Sequence, residues 1–309
     1  MTLLITHPDA LYHVNPPGHP EQVARLRVIL RALEHMALDR EDAEAASDEQ
    51  LLRCHPQDYL DQIAAAVPAD GWAQLDADTF LSPGTWRAAK LAAGAACQAV
   101  DAVLDGRAVN AFCAMRPPGH HAETATPMGF CTLGNVAIAA KHALDGRGLN
   151  RVAVVDFDVH HGNGTQDLLW DEPRARFYST HQMPLWPGSG APTDLGAHGN
   201  VINLPLAPNS NGAAFRRAME QTILPGLRDF APDLLLISAG FDAHQDDPLA
   251  QLNWATSDFS WATDVLCAFA RDTCQGRVVS CLEGGYDLDA LAASVAAHVE
   301  VLRGYANGG

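Results

Sequence analysis

The sequence lacks the features that mark secreted, membrane-spanning and disulfide-linked proteins. Its seven cysteines are scattered and form no C-x-x-C pair, which argues against a disulfide framework or a cysteine-held zinc site and favours a reducing compartment. No apolar run approaches the roughly 20 residues that a membrane-crossing helix needs. The first residues show neither the basic nor the apolar segment of a signal peptide. We therefore expect a cytoplasmic protein with no membrane partner.

Positive charge is also scarce. The chain has two lysines and eighteen arginines, and its net charge is −17. A field of this sign repels polyanions, so nucleic acid is not expected as a partner. The same field would attract a cationic substrate, although acidic charge that serves only solubility is the commoner case. The composition leaves the oligomeric state open, and a homo-oligomer is one of the alternatives.

Short apolar segments alternate with longer segments of helical spacing along the 309 residues. This alternation predicts an α/β fold in one domain, 1–309, with a mostly parallel central sheet and helices on both faces. The predicted strands are 111–115, 152–157, 177–179, 233–239 and 277–282. The predicted helices are 85–104, 133–144, 213–227, 257–270 and 288–302. The acidic, alanine-rich segment 38–49 is predicted to be a solvated helix or loop.

Polar clusters directly follow four of the predicted strands, at 116–121, 158–164, 240–242 and 283–286. Open α/β sheets bind ligands at the carboxyl ends of their strands. We therefore expect these four clusters to form active-site loops at one edge of the sheet.

The segment from Asp156 to His160 alternates polar and apolar residues. In an extended chain Asp156, Asp158 and His160 would share one face, so that Asp158 and His160 reach one cation. Asp242 is the natural third ligand. An isolated D-x-H is more often a surface turn or a helix cap, but the neighbouring clusters favour a metal site here. Oxygen and imidazole ligands suit Zn²⁺ and Fe²⁺ alike.

The adjacent imidazoles of His120 and His121 are candidates for proton transfer near neutral pH. Asp156 is available to fix the tautomer of one of them, and Tyr286 is a candidate hydrogen-bond donor to a developing oxyanion. Taken alone, a His-His pair is more often structural and a G-G-Y segment is more often a turn with a packed tyrosine. The catalytic interpretation therefore depends on the whole set of clusters.

The motifs that carry a family resemblance are, in chain order, G-H-P-E, R-P-P-G-H-H-A, G-F-C, D-F-D-V-H-H-G-N-G-T-Q, P-G-S-G, S-A-G-F-D-A-H and L-E-G-G-Y. In this order they resemble the histone deacetylase family of the arginase–deacetylase superfamily, and in particular its class II-like bacterial amidohydrolases. The resemblance implies the arginase–deacetylase fold over essentially the whole chain. It also implies a zinc-dependent amidohydrolase that removes acetyl or other acyl groups from acylated lysine peptides or small acylated amines.

The resemblance also assigns roles to individual residues. It implies that Asp158, His160 and Asp242 bind zinc. It implies catalytic roles for His120 paired with Asp156, for His121 paired with Asn163, and for Tyr286. The residues implied to bind substrate are Gly129, Phe130, Trp186, Leu249 and Asp78. The partner of the second histidine, Asn163, is the class II-like residue, where class I has aspartate. The family more often has phenylalanine at the position of Trp186, which leaves the acyl preference open. A structural K⁺ site from the backbone oxygens of Asp156, Asp158 and His160 with Ser179 is also implied.

Two other functions remain open. Eukaryotic polyamine deacetylases of the family carry a glutamate seven residues after the last zinc aspartate, where this chain has Leu249. A hydrophobic rim favours a neutral acyl-amine, but the acidic charge keeps an acetylpolyamine amidohydrolase as the alternative. A non-enzymatic alternative is a metal-bearing module that binds acyl-lysine without cleaving it. The sequence does not predict the physiological substrate.

Overall fold

The centre of the structure is an eight-stranded, fully parallel sheet, seen in a computed structural model that describes residues 1–307. The strands are β1 (Thr2–Thr6), β2 (Asp39–Asp42), β3 (Ala73–Gln74), β4 (Phe80–Leu81), β5 (Asn110–Cys113), β6 (Val152–Asp156), β7 (Ala175–Gln182), β8 (Val201–Leu206), β9 (Leu234–Ala239) and β10 (Val278–Leu282). The sheet order is β2-β1-β5-β10-β9-β6-β7-β8, while β3 and β4 form a separate antiparallel hairpin. The predicted parallel α/β fold is confirmed.

The helices are α1 (Val23–Ala32), α2 (Asp48–Leu52), α3 (Gln57–Ala66), α4 (Thr85–Leu104), α5 (Asn135–Lys141), α6 (Asn163–Leu169), α7 (Gly212–Ala218), α8 (Leu224–Phe230), α9 (Thr256–Thr273) and α10 (Leu288–Ala306). A 3₁₀ turn covers Pro8–Tyr12, and wide π turns cover His142–Gly146 and Met219–Ile223. All five predicted helices are present. Two of them are interrupted, because a π turn ends α5 and another joins α7 to α8.

The helices form two layers that cover the sheet. In one layer α4 packs on β1, β5 and β10, and α5 and α6 continue it along β6, β9 and β7. In the other layer α10 packs on β1 and β5 and also against α1 and α9. Strands β6, β9 and β10 are buried along their whole length. Apolar β-branched strands suit this position, since a parallel sheet is covered on both faces.

The prediction of a solvated helix or loop over 38–49 is wrong for residues 39–42, which form a strand. Asp39–Asp42 pairs in parallel with β1 as the edge strand of the sheet, and the Ala46 N–H donates to the Lys90 carbonyl oxygen of α4 at 2.8 Å. A Cβ atom on Gly94 would overlap the backbone of residues 44–46, so glycine is required where the two segments cross. The segment is acidic because an edge strand leaves alternate side chains in solvent.

No helix among residues 1–307 combines the length and the apolar character required to cross a membrane.

Candidate metal centre and active site

The four polar clusters meet at the carboxyl ends of four adjacent strands, β5, β10, β9 and β6. Hydrogen bonds join the loops that carry them. The Gly119 N–H donates to Glu283 Oε2 at 2.7 Å, and the Val159 N–H donates to Asp242 Oδ1 at 2.8 Å. The Gly284 N–H donates to Asp158 Oδ2 at 2.8 Å. The clusters therefore form one connected site rather than four separate loops.

Asp158, His160 and Asp242 form a buried group whose potential ligand atoms all lie within 4.8 Å of one another. Nδ1 of His160 is 3.1 Å from Asp242 Oδ2 and 3.3 Å from Asp158 Oδ1. The extended chain predicted over 156–160 is wrong, because β6 ends at Asp156 and the chain then bends. Asp158 Oδ1 accepts the His160 N–H at 2.9 Å, and this turn brings the two side chains together.

The charges of this group suit a cation. Burial, and then repulsion from Asp158, raise the pKa of Asp242 to about 7. Burial also disfavours the ionised form of Asp158, but the imidazoles of His120 and His160 outweigh burial and lower its pKa. Two carboxylates and an imidazole, all buried, are an oxygen and nitrogen ligand set that suits a divalent metal ion. The residues present therefore fit such an ion.

His120 and His121 lie beside this group, and each is oriented by a different partner. Nδ1 of His120 is 3.0 Å from Asp156 Oδ2, and Nδ1 of His121 is 2.7 Å from Asn163 Oδ1. Asn163 Nδ2 donates to Glu123 Oε1 at 2.8 Å, so the amide oxygen faces His121. His121 therefore carries its proton on Nδ1, and Nε2 remains an acceptor.

The two imidazoles, whose centroids are 3.9 Å apart, differ in basicity. Burial lowers the pKa of His120, but the carboxylates of Asp158 and Asp156 outweigh burial and raise it well above its ordinary value. Burial, with repulsion from His120 and His160, holds the pKa of His121 well below its ordinary value. The difference follows mainly from the charges of Asp158 and Asp156, which raise the pKa of His120, whereas the hydrogen-bond partner of His121, Asn163, is uncharged.

A cavity of about 360 Å³ leads from the surface to the candidate metal site formed by Asp158, His160 and Asp242. His121, His160 and Tyr286 line it. So do all five residues predicted to bind substrate, namely Asp78, Gly129, Phe130, Trp186 and Leu249. The Trp186 ring is 4.8 Å from the His121 ring, and the Phe130 ring is 5.8 Å from the Tyr286 ring. A Cβ atom on Gly129 would overlap His121 and Trp186, so a glycine is needed at this narrow point.

Asp78 lies on the turn between β3 and β4, half-buried at the cavity wall. Its backbone oxygen is 2.9 Å from His19 Nε2, and the neighbouring Thr79 Oγ1 accepts the Phe130 N–H at 3.0 Å. Burial and the nearby charge of Asp76 raise the pKa of Asp78. The hairpin therefore holds Asp78 and Phe130 on the same side of the cavity.

Sequence reasoning gave no role to a buried ionic network behind the site. Glu21 forms a carboxylate–guanidinium pair with Arg116 and also accepts from Arg25 Nη1 at 3.1 Å. Arg25 donates to the backbone oxygens of Gly285 at 2.6 Å and Glu283 at 2.5 Å, on either side of Gly284. The guanidinium also lies 4.8 Å from the centroid of the Tyr286 ring. The signal available in the sequence was the i,i+4 spacing of Glu21 and Arg25.

Glu283 was also missed, although it lies in the L-E-G-G-Y motif. Its side chain is fully buried and accepts the backbone N–H groups of Gly119 and His120 and the hydroxyl of Ser238. It thus connects the loop after β5 to β9 and β10. Nothing in the local sequence pattern distinguishes a carboxylate with these long-range contacts from a surface glutamate.

Known proteins of the same fold match this chain over nearly its full length. The structure titled "Crystal Structure of HDA15 HD domain" superposes with a TM-score of 0.92 at 31% identity and covers 98% of this chain and 91% of that chain. The "Histone deacetylase-like amidohydrolase" of Pseudomonas aeruginosa is 40% identical over 88% of this chain and 74% of its own length. "Polyamine deacetylase HDAC10" of Homo sapiens is 37% identical over 98% of this chain and 48% of its own length.

The family model described as "Histone deacetylase domain" matches residues 19–302, a range that contains every residue of the candidate metal site and of the His120–His121 pair. The match agrees with the motif order and with the parallel α/β fold. This chain belongs to the histone deacetylase family, whose relatives named above are deacetylases and amidohydrolases that hydrolyse amides.

Proposed function

We propose that this chain is a zinc-dependent amidohydrolase that removes acetyl or other acyl groups from acylated lysine peptides or small acylated amines. The observation that carries the proposal is the position of Asp158, His160 and Asp242 at the end of a cavity walled by Phe130 and Trp186. An apolar cavity accommodates an acyl chain, and its polar end places the amide beside groups that can hydrolyse it.

Asp158, His160 and Asp242 would hold the metal ion. When bound, a divalent cation polarises the amide carbonyl and makes water acidic enough to attack it at neutral pH. With three protein ligands, a bound ion could still accept substrate and water, as catalytic zinc sites do. The same ligand set also suits Fe²⁺.

The histidine pair would move the protons. The pair, with His120 held by Asp156, would take the proton of the attacking water at the free Nε2 of His121, and His121 would then deliver a proton to the departing amine. The low pKa of His121, which follows from burial and from repulsion by His120 and His160, supports this division of labour, since it makes the charged form of His121 a good proton donor. Its partner Asn163 carries no charge that would oppose this effect.

Tyr286 would donate its phenolic hydrogen to the oxyanion that develops on the carbonyl oxygen. Its side chain lines the cavity, and burial raises the pKa of its hydroxyl well above the ordinary value, so it stays protonated. Gly129, Phe130, Trp186 and Leu249 would enclose the acyl-amine, and Asp78 would accept an N–H of the substrate.

A structural K⁺ site and a cytoplasmic location complete the proposal. Ser179 is paired with Asp156 in the register of β6 and β7, so that the backbones of the residues that would bind K⁺ lie on neighbouring strands. All seven cysteines are buried free thiols, as suits a reducing compartment.

An acetylpolyamine amidohydrolase is the second candidate, favoured by the net charge of −17 and by the similarity to a relative named as a polyamine deacetylase. Leu249 argues against it, since an apolar side chain at the cavity wall offers nothing to a second ammonium group. A module that binds acyl-lysine without catalysis is the third, and the full set of His120, His121 and Tyr286 argues against it.

The test is a turnover panel with protein stripped of metal by a chelator and reloaded with Zn²⁺ or Fe²⁺. Acetyl-, longer acyl- and trifluoroacetyl-lysine peptides are compared with acetylpolyamines, and bound metal is measured in parallel. We expect hydrolysis of acyl-lysine peptides in proportion to one bound zinc per chain. Asp242→Asn should lose both metal and turnover, while the exposed neighbour variant Asp246→Asn should keep both. Binding of acetyl-lysine peptide without release of acetate would contradict the proposal.

A further inference from the structure

A second groove, of about 520 Å³, adjoins the catalytic cavity and has no role in the proposed reaction. The two share three lining residues, His19, Pro20 and Tyr286. The remaining walls come from residues 14–18, from the first turns of α1 and from Pro248. Four prolines stiffen these walls, because each fixes its own backbone φ angle. The groove is therefore a preformed extension of the active site, and not a surface depression elsewhere.

The charge of this groove is opposite to that of the protein as a whole. Among residues 1–307 no carboxylate lines it, and Arg27 is its permanently charged residue. Arg27 is exposed on the face of α1 that also carries Val23 and Ala24. Whereas Arg25 is fully engaged with Glu21, Glu283 and Gly285, the Arg27 guanidinium makes no hydrogen bond or ion pair within the described chain. In a chain of net charge −17, an unpaired guanidinium beside the active site is a local exception.

The opposite side of the catalytic cavity carries negative charge. Asp78, on the β3–β4 turn, lines the cavity, and the neighbouring Asp76 accepts backbone N–H groups within the same turn. A substrate lying across the two cavities would therefore meet a carboxylate on one side and a guanidinium on the other. Such a separation of charge selects the orientation of a substrate as well as its composition.

We infer that this second groove, called the Arg27 groove below, binds a carboxylate on the amine portion of the acylated substrate. The inference rests on the proposed function, in which the acylated end of the substrate enters the catalytic cavity and the rest of its amine portion stays at the mouth. A guanidinium pairs with a carboxylate through two parallel N–H···O bonds, with a geometry that an ammonium does not offer. The carboxylate belongs either to an acidic residue next to the acyl-lysine in a peptide or to the α-carboxylate of a free acyl-amino acid.

The experiment compares matched substrates that differ in one charge. One pair is an acetyl-lysine peptide with glutamate or with glutamine beside the acetyl-lysine, and the other is free Nε-acetyl-lysine and its carboxamide. Each pair is tested with the wild-type protein, Arg27→Gln and Arg27→Glu, both by kcat/KM and by calorimetric affinity. Arg31→Gln is the matched control, because Arg31 is an exposed arginine one turn further along α1 that does not line the groove.

We expect the wild-type protein to prefer the carboxylate substrate by about two- to fivefold through KM, as for a solvent-exposed ion pair. The ratio of kcat/KM values for the two substrates should fall to about one in Arg27→Gln and should reverse in Arg27→Glu. In the wild-type protein the preference should weaken as salt is raised, and it should persist in Arg31→Gln. The pair that shows the preference identifies the source of the carboxylate. Equal affinities for both members of both pairs, or the same loss in Arg31→Gln, would overturn the inference. If no substrate is hydrolysed but the affinities still differ in a way that depends on Arg27, the proposed function is overturned and this inference stands.

Discussion

Glu283 holds the backbone of His120 in place: its Oε2 atom accepts the His120 N–H at 3.1 Å and the adjacent Gly119 N–H at 2.7 Å. Its other oxygen accepts the Ser238 hydroxyl at 3.2 Å. Burial raises the pKa of Glu283 to about 7, although the neighbouring His120 opposes this shift. The side chain thus connects three strand ends without contacting the cavity, which makes it a positioning residue for the imidazole pair.

Replacing Glu283 with leucine should lower both stability and kcat. Each of the two N–H groups left without an acceptor costs about 1–3 kcal/mol of the free energy of unfolding, and His120 loses its anchor. Glu283→Gln is the matched control, because its amide oxygen can still accept both N–H groups and its amide nitrogen can donate to Ser238. We expect a much smaller loss in this variant, measured by urea unfolding and by steady-state kinetics. Equal losses in the two variants would show that the charge, rather than the acceptor, matters.

Removing the Tyr286 hydroxyl tests the oxyanion assignment. Tyr286→Phe keeps the ring over the Arg25 guanidinium, so the fold should be retained. We expect kcat to fall by about 10²–10³-fold with little change in KM, as for the loss of one oxyanion donor. Tyr305→Phe, which removes a surface hydroxyl bonded to Asp264, is the control and should leave kcat unchanged. Unchanged turnover in Tyr286→Phe would refute the assignment.

Local sequence patterns predicted the elements whose structure is decided locally. Helix α4 matches its predicted bounds, because apolar residues at helical spacing define its buried face. The segment Asp39–Asp42 has no such pattern, and it is a strand only because β1 offers it a partner. Strand β8, with Pro205 in its sequence, was missed for the same reason, since it lies at the other edge of the sheet.

The same distinction applies to the site. Motif order and strand ends predicted the convergence of Asp158, His160 and Asp242, because parallel strands bring their carboxyl ends to one edge. The contacts of Arg25 with the backbone of residues 283–285 span about 260 positions of sequence, and no periodicity encodes them. The residues that line the cavity were therefore predictable from motifs, whereas the buried residues that position them were visible only in the fold.

The fully buried His298 should make the fold sensitive to acid. Its Nδ1 is 2.6 Å from Thr263 Oγ1 and its Nε2 is 2.9 Å from Ser280 Oγ, and burial lowers its pKa from 6.5 to about 3. Between these two pH values the unfolded chain binds a proton that the folded chain does not. The free energy of unfolding should therefore fall as the pH falls below 6.5, by about 1.4 kcal/mol per pH unit from this group.

The measurement is urea unfolding at several pH values between 7.5 and 5 for the wild-type protein and His298→Gln. The slope of unfolding free energy against pH should be smaller in His298→Gln, because glutamine bonds to the two hydroxyls and does not titrate. His35→Gln, at an exposed histidine, should keep the wild-type slope. Parallel slopes for the wild-type protein and His298→Gln would contradict the prediction.

Leu249 should decide between neutral and cationic substrates. It is half-buried at the cavity wall, and its N–H donates to Asp247 Oδ1 at 3.0 Å. Asp247 Oδ2 accepts the Tyr286 N–H at 2.7 Å, so a single carboxylate holds the backbone of two residues that line the cavity. A carboxylate introduced at position 249 would face the distal ammonium of an acetylpolyamine. Leu249→Glu should therefore raise kcat/KM for acetylspermidine relative to a neutral acetyl-lysine peptide by about two- to fivefold, the range of a solvent-exposed ion pair.

Leu249→Gln is the control for this change, because it is polar and of similar size but carries no charge. The ratio of the two kcat/KM values should stay near the wild-type value in Leu249→Gln, and in Leu249→Glu the gain should shrink as salt is raised. An equal gain in both variants would mean that polarity alone, and not charge, sets the preference. No gain in either would mean that the amine portion of the substrate leaves the cavity on another side, towards Asp78 or the Arg27 groove.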